Sequence, residues 1–164
     1  PEADLGNSPL PFLQQQYEGY ELVLTTSNGT KALNQAREAN SCIVAGSFLN
    51  ATSLADHLKT AGRDILLLCA GRHGYHSLED TMLAGYLLAQ TEPVLHRASD
   101  AALSTAALYQ AHADNWPSLL YQGAHARYLQ ELGKAADIEH AFQLDAYPGV
   151  PEFVDNQLVL NDRS

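Results

Sequence analysis

Positive charge is scarce in this chain. Nine Lys and Arg stand against 19 Asp and Glu among 164 residues, a net charge of −10 with His neutral. That argues against a general nucleic-acid binder, which needs clustered Lys and Arg to meet phosphates. It leaves room for a small anionic ligand, because one local pocket can oppose the global field. Cysteine is nearly absent: Cys42 and Cys69 each sit in an apolar, strand-like run and make no disulfide framework. A reducing, cytoplasmic setting is expected. No apolar run approaches the ~20 residues a membrane span requires, so no membrane partner is expected, and no signal peptide is visible. Internal repeats and low-complexity tracts are lacking too. The chain opens at Pro1 without an initiator Met, and upstream sequence is expected.

What is present fits one ordinary globular domain: 46% hydrophobic and 17% charged residues. A chain of this size buries roughly 70% of its unfolded surface. Three strand–loop–helix units follow one another. Strands are predicted over residues 21–26, 42–45 and 65–70, and helices over 30–39, 50–61 and 78–89. Ala32, Leu33, Ala36 and Ala39 share one face of the first helix; Leu54, Ala55 and Leu58 form the stripe of the second. The third strand is continuously apolar, as expected for a strand buried on both faces. Alternating strands and helices predict an α/β layer fold with parallel pairs.

The second half reads as more helical. Ser99-Asp100 can cap a helix through Tyr109, and Trp116-Pro117 after Asn115 is a good helix start. A helix from Ala124 to Leu132 would end at Gly133. Residues 138–146 stay ambiguous between helix and strand, and residues 153–160 read as a terminal strand or hairpin.

In parallel sheets ligands sit beyond the carboxyl ends of the strands. Those ends carry residues 25–30, 46–50 and 71–80, all rich in Gly, Asn, Ser or Thr. In the first, a helix start with unpaired N–H groups can hold an anion. Asn28 and Gly29 permit a left-handed turn, and Ser27 and Thr30 add hydroxyls. The plainer reading is a βα turn capped by Ser27 or Asn28, and the turn by itself favours it. It is not the nucleotide P-loop, since no Gly-x4-Gly-Lys-Ser/Thr is present. Ser77-Leu78-Glu79-Asp80 resembles a capping box, with Ser77 as N-cap and Asp80 at N3. If Asp80 caps its own helix, Glu79 is freer to reach a metal.

Several short stretches then occur in order: Asp4-Leu5-Gly6-Asn7-Ser8-Pro9, Thr25-Thr26-Ser27-Asn28-Gly29-Thr30, Asn50-Ala51, Cys69-Ala70-Gly71-Arg72 with Ser77-Leu78-Glu79-Asp80, and Ser99-Asp100-Ala101-Ala102. Together they resemble the 2-phosphosulfolactate phosphatase family. The family's later His-x-Arg-x-Leu, Leu-Gly and Val-Pro pattern is similar to His125-Ala126-Arg127-Tyr128-Leu129, Leu132-Gly133 and Val150-Pro151. The match covers most of the chain. It implies a magnesium-dependent acid phosphatase in a three-layer α/β/α fold with a largely parallel or mixed sheet. The family's named substrate is 2-phospho-3-sulfolactate, on the path to coenzyme M, although many bacterial members lack an obvious need for that cofactor. Two departures stand out. An Asp-x-Leu-Arg-Ala-type motif precedes the Leu-Gly-Asn-Ser-Pro stretch in the family and is not found here. His76 stands where the family usually has an aromatic residue.

The resemblance implies a single α/β unit over residues 1–164, the C-terminal part of a longer phosphatase chain. Its partners would be the missing N-terminal segment, a small phosphorylated substrate and, as an open option, a second copy. Magnesium takes oxygen ligands, for which Glu79 and Asp80 are the candidates; both also read as first-turn acids against a helix dipole. Substrate would meet Asn7, Ser8, Ser27, Asn28, Gly29, Thr30, Asn50, Arg72 and Arg127. Arg72 could grip a second anion bidentately, or be a surface charge. Asn50 reads equally as an N-cap. His125 could protonate the leaving oxygen, or be an ordinary structural histidine. The nucleophile would be a metal-activated water. A transition-metal site at His73, His76 and Glu79 lacks a third imidazole or thiolate. Cys69 is no phosphatase nucleophile: the position that Cys-x5-Arg would fill is Tyr75. Cys69 reads as a core residue. The alternative to an enzyme is a non-catalytic module that binds a small anion in the same loops.

Overall fold

Helices dominate the computed structural model, which describes residues 4–39, 42–91 and 98–160. In chain order they are α1 (Leu10–Gln14), α2 (Gly29–Glu38), α3 (Ala51–Thr60), α4 (Leu78–Thr91), α5 (Asp100–His112), α6 (Trp116–Tyr121), α7 (Ala124–Glu131) and α8 (Ala135–Ala141). Two strands follow, β1 (Pro151–Val154) and β2 (Gln157–Leu160). Helix α1 has no counterpart in the sequence reading, and of the ambiguous stretch 138–146 the first four residues belong to α8 while 142–146 form neither helix nor strand. The other helices start and stop close to their sequence signals. Ser99 Oγ accepts from Ala102 N at 3.2 Å at the start of α5. Gly133 takes φ +73° just beyond α7, the left-handed stop expected there.

Helix α4 is the centre of the molecule. It packs against α3 on one side and α5 on the other, so it is apolar nearly all round rather than striped. Leu54 and Ala55 of α3 meet Tyr86 and Leu87 of α4 in one core cluster. Met82 and Leu120 are fully buried in a second, with Phe48 stacked on Trp116 at 4.2 Å between ring centroids. Tyr86 and Tyr109 meet edge to face at 5.8 Å.

The parallel sheet expected from the sequence is not what the described residues form. Their sheet is the antiparallel pair β1–β2, closed by Asp155 and Asn156, both at positive φ, as a two-residue hairpin turn requires. Residues 43–45 lie along the other edge of β1, also antiparallel: Ala45 N donates to Pro151 O at 2.8 Å and Phe153 N to Ile43 O at 2.9 Å. The stretches predicted as strands at 21–26 and 65–70 make no backbone–backbone hydrogen bonds among the described residues and form no strand. The physical reason is that a strand is defined by its partner. Apolar β-type residues set the extended backbone, and the neighbour is supplied by tertiary structure. The coarse class, helices mixed with strands, holds.

Candidate active site

A cavity of about 260 Å³ opens where the loop 46–48, the start of α4, and helices α7 and α8 meet. Its polar wall is Ser47, Glu79, Asp80, His125 and Asp137; Phe48, Leu83, Leu129, Ile138 and Phe142 supply the apolar wall. Two of the three predicted loops therefore converge, 46–50 and 71–80. The third, 25–30, lies off the cavity and joins it indirectly: Asn28 Oδ1 accepts from His73 N at 2.9 Å.

The acidic pair sits at the first turn of α4, and the reason is local. Ser77 opens the helix: its carbonyl accepts from Thr81 N and its Oγ from Asp80 N at 3.3 Å. Only this half of the expected capping box forms. The Asp80 carboxylate turns instead to Gly71 N at 2.8 Å and to Ser77 Oγ at 2.8 Å. It thereby ties the loop after residue 70 to the helix. Glu79 has a lighter commitment, with Oε2 3.0 Å from Ser77 Oγ, although the Asp80 carboxylate binds the backbone of the loop and not that of the helix start it is predicted to cap.

His125 faces the same cavity from the first turn of α7. Its Nδ1 is buried and has no hydrogen-bond partner among the described residues. The ring stacks on Tyr128 at 6.4 Å, and the Arg72 guanidinium lies 4.9 Å over that Tyr128 ring. Arg72 is aimed this way by a tight turn: Arg72 and Tyr75 exchange backbone hydrogen bonds across His73 and Gly74, at φ +52° and +81°. Gly71, at φ +68°, has no room for a side chain, since a Cβ would meet Tyr75 O at 2.7 Å.

The other predicted contacts are placed as follows. Ser8 Oγ donates to Asp137 Oδ1 at 2.7 Å and so holds a residue of the cavity wall, whereas Asn7 is exposed. Thr30 spends both polar groups on its own turn, with N 3.0 Å from Thr26 Oγ1 and Oγ1 2.9 Å from Thr26 O. Gly29 begins α2 beside Thr26, and Ser27 is exposed. Arg127 Nη1 donates to the Gln122 carbonyl. Asn50 is 6% exposed and fully used by the protein. Its amide donates to Ala45 O at 3.2 Å and Gly149 O at 2.8 Å, and its carbonyl accepts from Ser47 N at 2.8 Å. It braces the cavity loop against the hairpin. Asn50→Ala orphans these buried groups and is expected to cost about 1–3 kcal/mol, read in urea unfolding. An unchanged midpoint would refute the brace.

Cys69 needs correcting: it is exposed at the end of its extended stretch, not a core residue. Burial around its thiol, and then the negative charge of Asp80, still raise its pKa above the usual 9.0. The folded chain therefore holds this proton more tightly than the unfolded one. That contribution is complete below pH 9 and fades as pH rises through the folded value. Alkylation of Cys69 at pH 8 is expected to run slower than that of free cysteine, and faster in Asp80→Asn. Equal rates in the two proteins would remove Asp80 as a cause.

Asp137 was not singled out in the sequence, where one acid in a helix's first turn looks like any solvated charge. Asp145 was also missed. It takes φ +58° and its carboxylate accepts from Thr52 N at 2.7 Å and Thr52 Oγ1 at 2.6 Å, anchoring the start of α3.

Magnesium fits this donor set in kind. Glu79 and Asp80 would offer hard oxygen donors on one wall, and Mg²⁺ commonly takes one or two carboxylates and completes its shell with water and substrate phosphate. No cluster of three or more His, Cys, Asp or Glu suited to a metal occurs among the described residues, so a dedicated all-protein cage is not what they form. No helix among them is long and apolar enough to cross a membrane.

Carboxylates and an imidazole on one cavity wall, with Arg72 held over the Tyr128 ring that stacks on that imidazole, are groups of the kind a hydrolase uses. The comparisons with known proteins go further. The family model for 2-phosphosulpholactate phosphatase matches residues 1–156, and the chain belongs to that family of phosphoric monoester hydrolases. A probable 2-phosphosulfolactate phosphatase of Thermotoga petrophila is 33% identical over 159 residues, covering 97% of this chain and 68% of the relative. One from Carboxydothermus hydrogenoformans is 36% identical over 155 residues, covering 93% of this chain and 62% of the relative. The chain thus spans about two thirds of the length of these curated relatives.

Proposed function

We propose that this chain carries the site of a magnesium-dependent phosphatase for a small, doubly anionic phosphomonoester such as 2-phospho-3-sulfolactate, releasing sulfolactate and phosphate. The observation that carries the reading is the convergence of Glu79, Asp80 and His125 on one cavity. Like charges repel strongly in a low-dielectric site, so a carboxylate wall receives a phosphate dianion only with a cation between them. Glu79 and Asp80 would hold that cation, whose chemistry when bound is to neutralise the phosphoryl oxygens. Asp80, already fixed by Gly71 N and Ser77 Oγ, keeps the wall in register. The buried edge of His125 supplies a proton to the departing oxygen. Arg72, held over the Tyr128 ring that stacks on His125, would meet the second anionic group, and the apolar wall would exclude water from the alkyl part.

We read the extended stretches at 21–25, 43–45 and 64–70 as the middle layer of a three-layer α/β/α arrangement. Leu67 supports this by packing toward the α3–α4 core. A reducing, cytoplasmic setting is consistent with free Cys42 and Cys69.

The test is phosphate release from 2-phospho-3-sulfolactate with magnesium and then with chelator. Turnover that stops on chelation and returns with magnesium is the expected result. Saturable binding of the substrate with no release would instead favour the anion-binding module.

A further inference from the structure

Arg72 differs from the other arginines among the described residues. Arg37 donates to Asn156 Oδ1, Arg63 to the Ala61 carbonyl and Arg127 to the Gln122 carbonyl. The Arg72 guanidinium donates to no described group and pairs with no described carboxylate, although the side chain is half-buried. An arginine partly withdrawn from water is ordinarily paired. This one is held by a ring face instead, 4.9 Å from the centroid of Tyr128. Stacking fixes the guanidinium plane and leaves its N–H donors unspent. The other end of the side chain is fixed separately. Arg72 begins the tight turn closed on Tyr75, and that turn is anchored through His73 N to Asn28 Oδ1.

Tyr128 belongs to neither core cluster and is 45% exposed, so packing does not account for it. Its hydroxyl bonds to no described residue, and its contacts are made by the ring. It stands one turn after His125 on α7, the spacing that puts two side chains on one helix face, and the two rings lie 19° from parallel. One tyrosine therefore touches a cation from the loop after residue 70 and the imidazole of the cavity wall.

We propose that Tyr128 is a positioning residue that sets specificity: its ring presents the Arg72 guanidinium, with donors free, to the second anionic group of the substrate beside His125. The proposal rests on the reading of Arg72 given above. It assigns Tyr128 no contact with the phosphoryl group, and it makes the ring face, not the hydroxyl, the working part.

The test is calorimetric titration of the full chain, with magnesium present, using sulfolactate and inorganic phosphate as separate probes. Sulfolactate carries the anionic groups other than phosphate. Tyr128→Leu is expected to weaken sulfolactate about tenfold and phosphate less than about twofold, while melting with the unaltered chain. Tyr128→Phe keeps the ring and is expected to bind sulfolactate within about twofold of the unaltered chain. In an Arg72→Gln background, Tyr128→Leu is expected to add no further loss. Unchanged sulfolactate binding by folded Tyr128→Leu would overturn the proposal. So would equal weakening of both probes, a Tyr128→Phe protein no better than Tyr128→Leu, a full further loss in Arg72→Gln, or no sulfolactate binding by the unaltered chain. Neither probe is hydrolysed. A chain that releases no phosphate from 2-phospho-3-sulfolactate would end the phosphatase reading, and the titration would still decide the role of Tyr128.

Discussion

Replacing His125 by Gln is expected to lower turnover of 2-phospho-3-sulfolactate by about 10²–10³-fold, with KM little changed. The imidazole lies on the cavity wall beside Glu79 and Asp80, with Nδ1 buried and unpartnered among the described residues. A polar atom left so is costly in a purely structural role. Gln keeps a polar side chain of similar size and removes the titrating nitrogen. The leaving group tests the assignment. An alkoxide needs a proton as it departs, whereas the nitrophenolate of p-nitrophenyl phosphate is stable as an anion. The loss on that substrate is therefore expected to shrink to about tenfold or less. Equal losses on both substrates would show that His125 does not protonate the leaving oxygen. A raised KM with unchanged kcat would make it a binding residue.

Gly85→Ala is expected to be the most damaging small substitution to the fold. Helices α4 and α5 touch at Gly85, where a Cβ would come within 2.5 Å of Tyr109 Cβ and 2.8 Å of Thr105 O. Both obstacles are rigid: one is the root of a side chain, the other is backbone. The helices must separate, which also disturbs the Tyr86–Tyr109 contact beside it. We expect a loss of about 3 kcal/mol, hence a fall in Tm of roughly 6–12 °C for a chain of this size. Gly6→Ala is the control, since nothing lies within 4 Å of its added methyl. A Gly85→Ala protein that melts within a degree of the unaltered chain would mean that the helices are not packed this closely.

The two predictions draw on different parts of the sequence. His125 was singled out from a short motif, and its exposure to a cavity had no sequence signal. Gly85 carried no signal at all. A glycine inside an apolar helix reads as a weak spot, and only the approach of α5 shows why a side chain is excluded. The loops were legible in part. Small polar residues after apolar runs marked 46–50 and 71–80, and these do meet. The same composition marked 25–30, where Thr30 and Thr26 satisfy each other instead of facing the cavity. Turn chemistry and ligand chemistry use the same residue types, so composition could not separate them.

By itself the sequence determined what depends on neighbours in the chain. It set the positions of most helices, the capping roles of Ser77 and Ser99, a strand or hairpin over 153–160, and the family. Propensity, periodicity and capping act within a few residues, so they are readable there. Tertiary structure decided the rest: which extended stretches find partners, that β1 pairs antiparallel with 43–45, and that Asp137 joins Glu79, Asp80 and His125. It also decided that Asn50 is a brace. These depend on backbone groups and side chains brought together from distant positions, as when Asn50 reaches Gly149 O. A hydrogen-bond partner 99 residues away leaves no local trace.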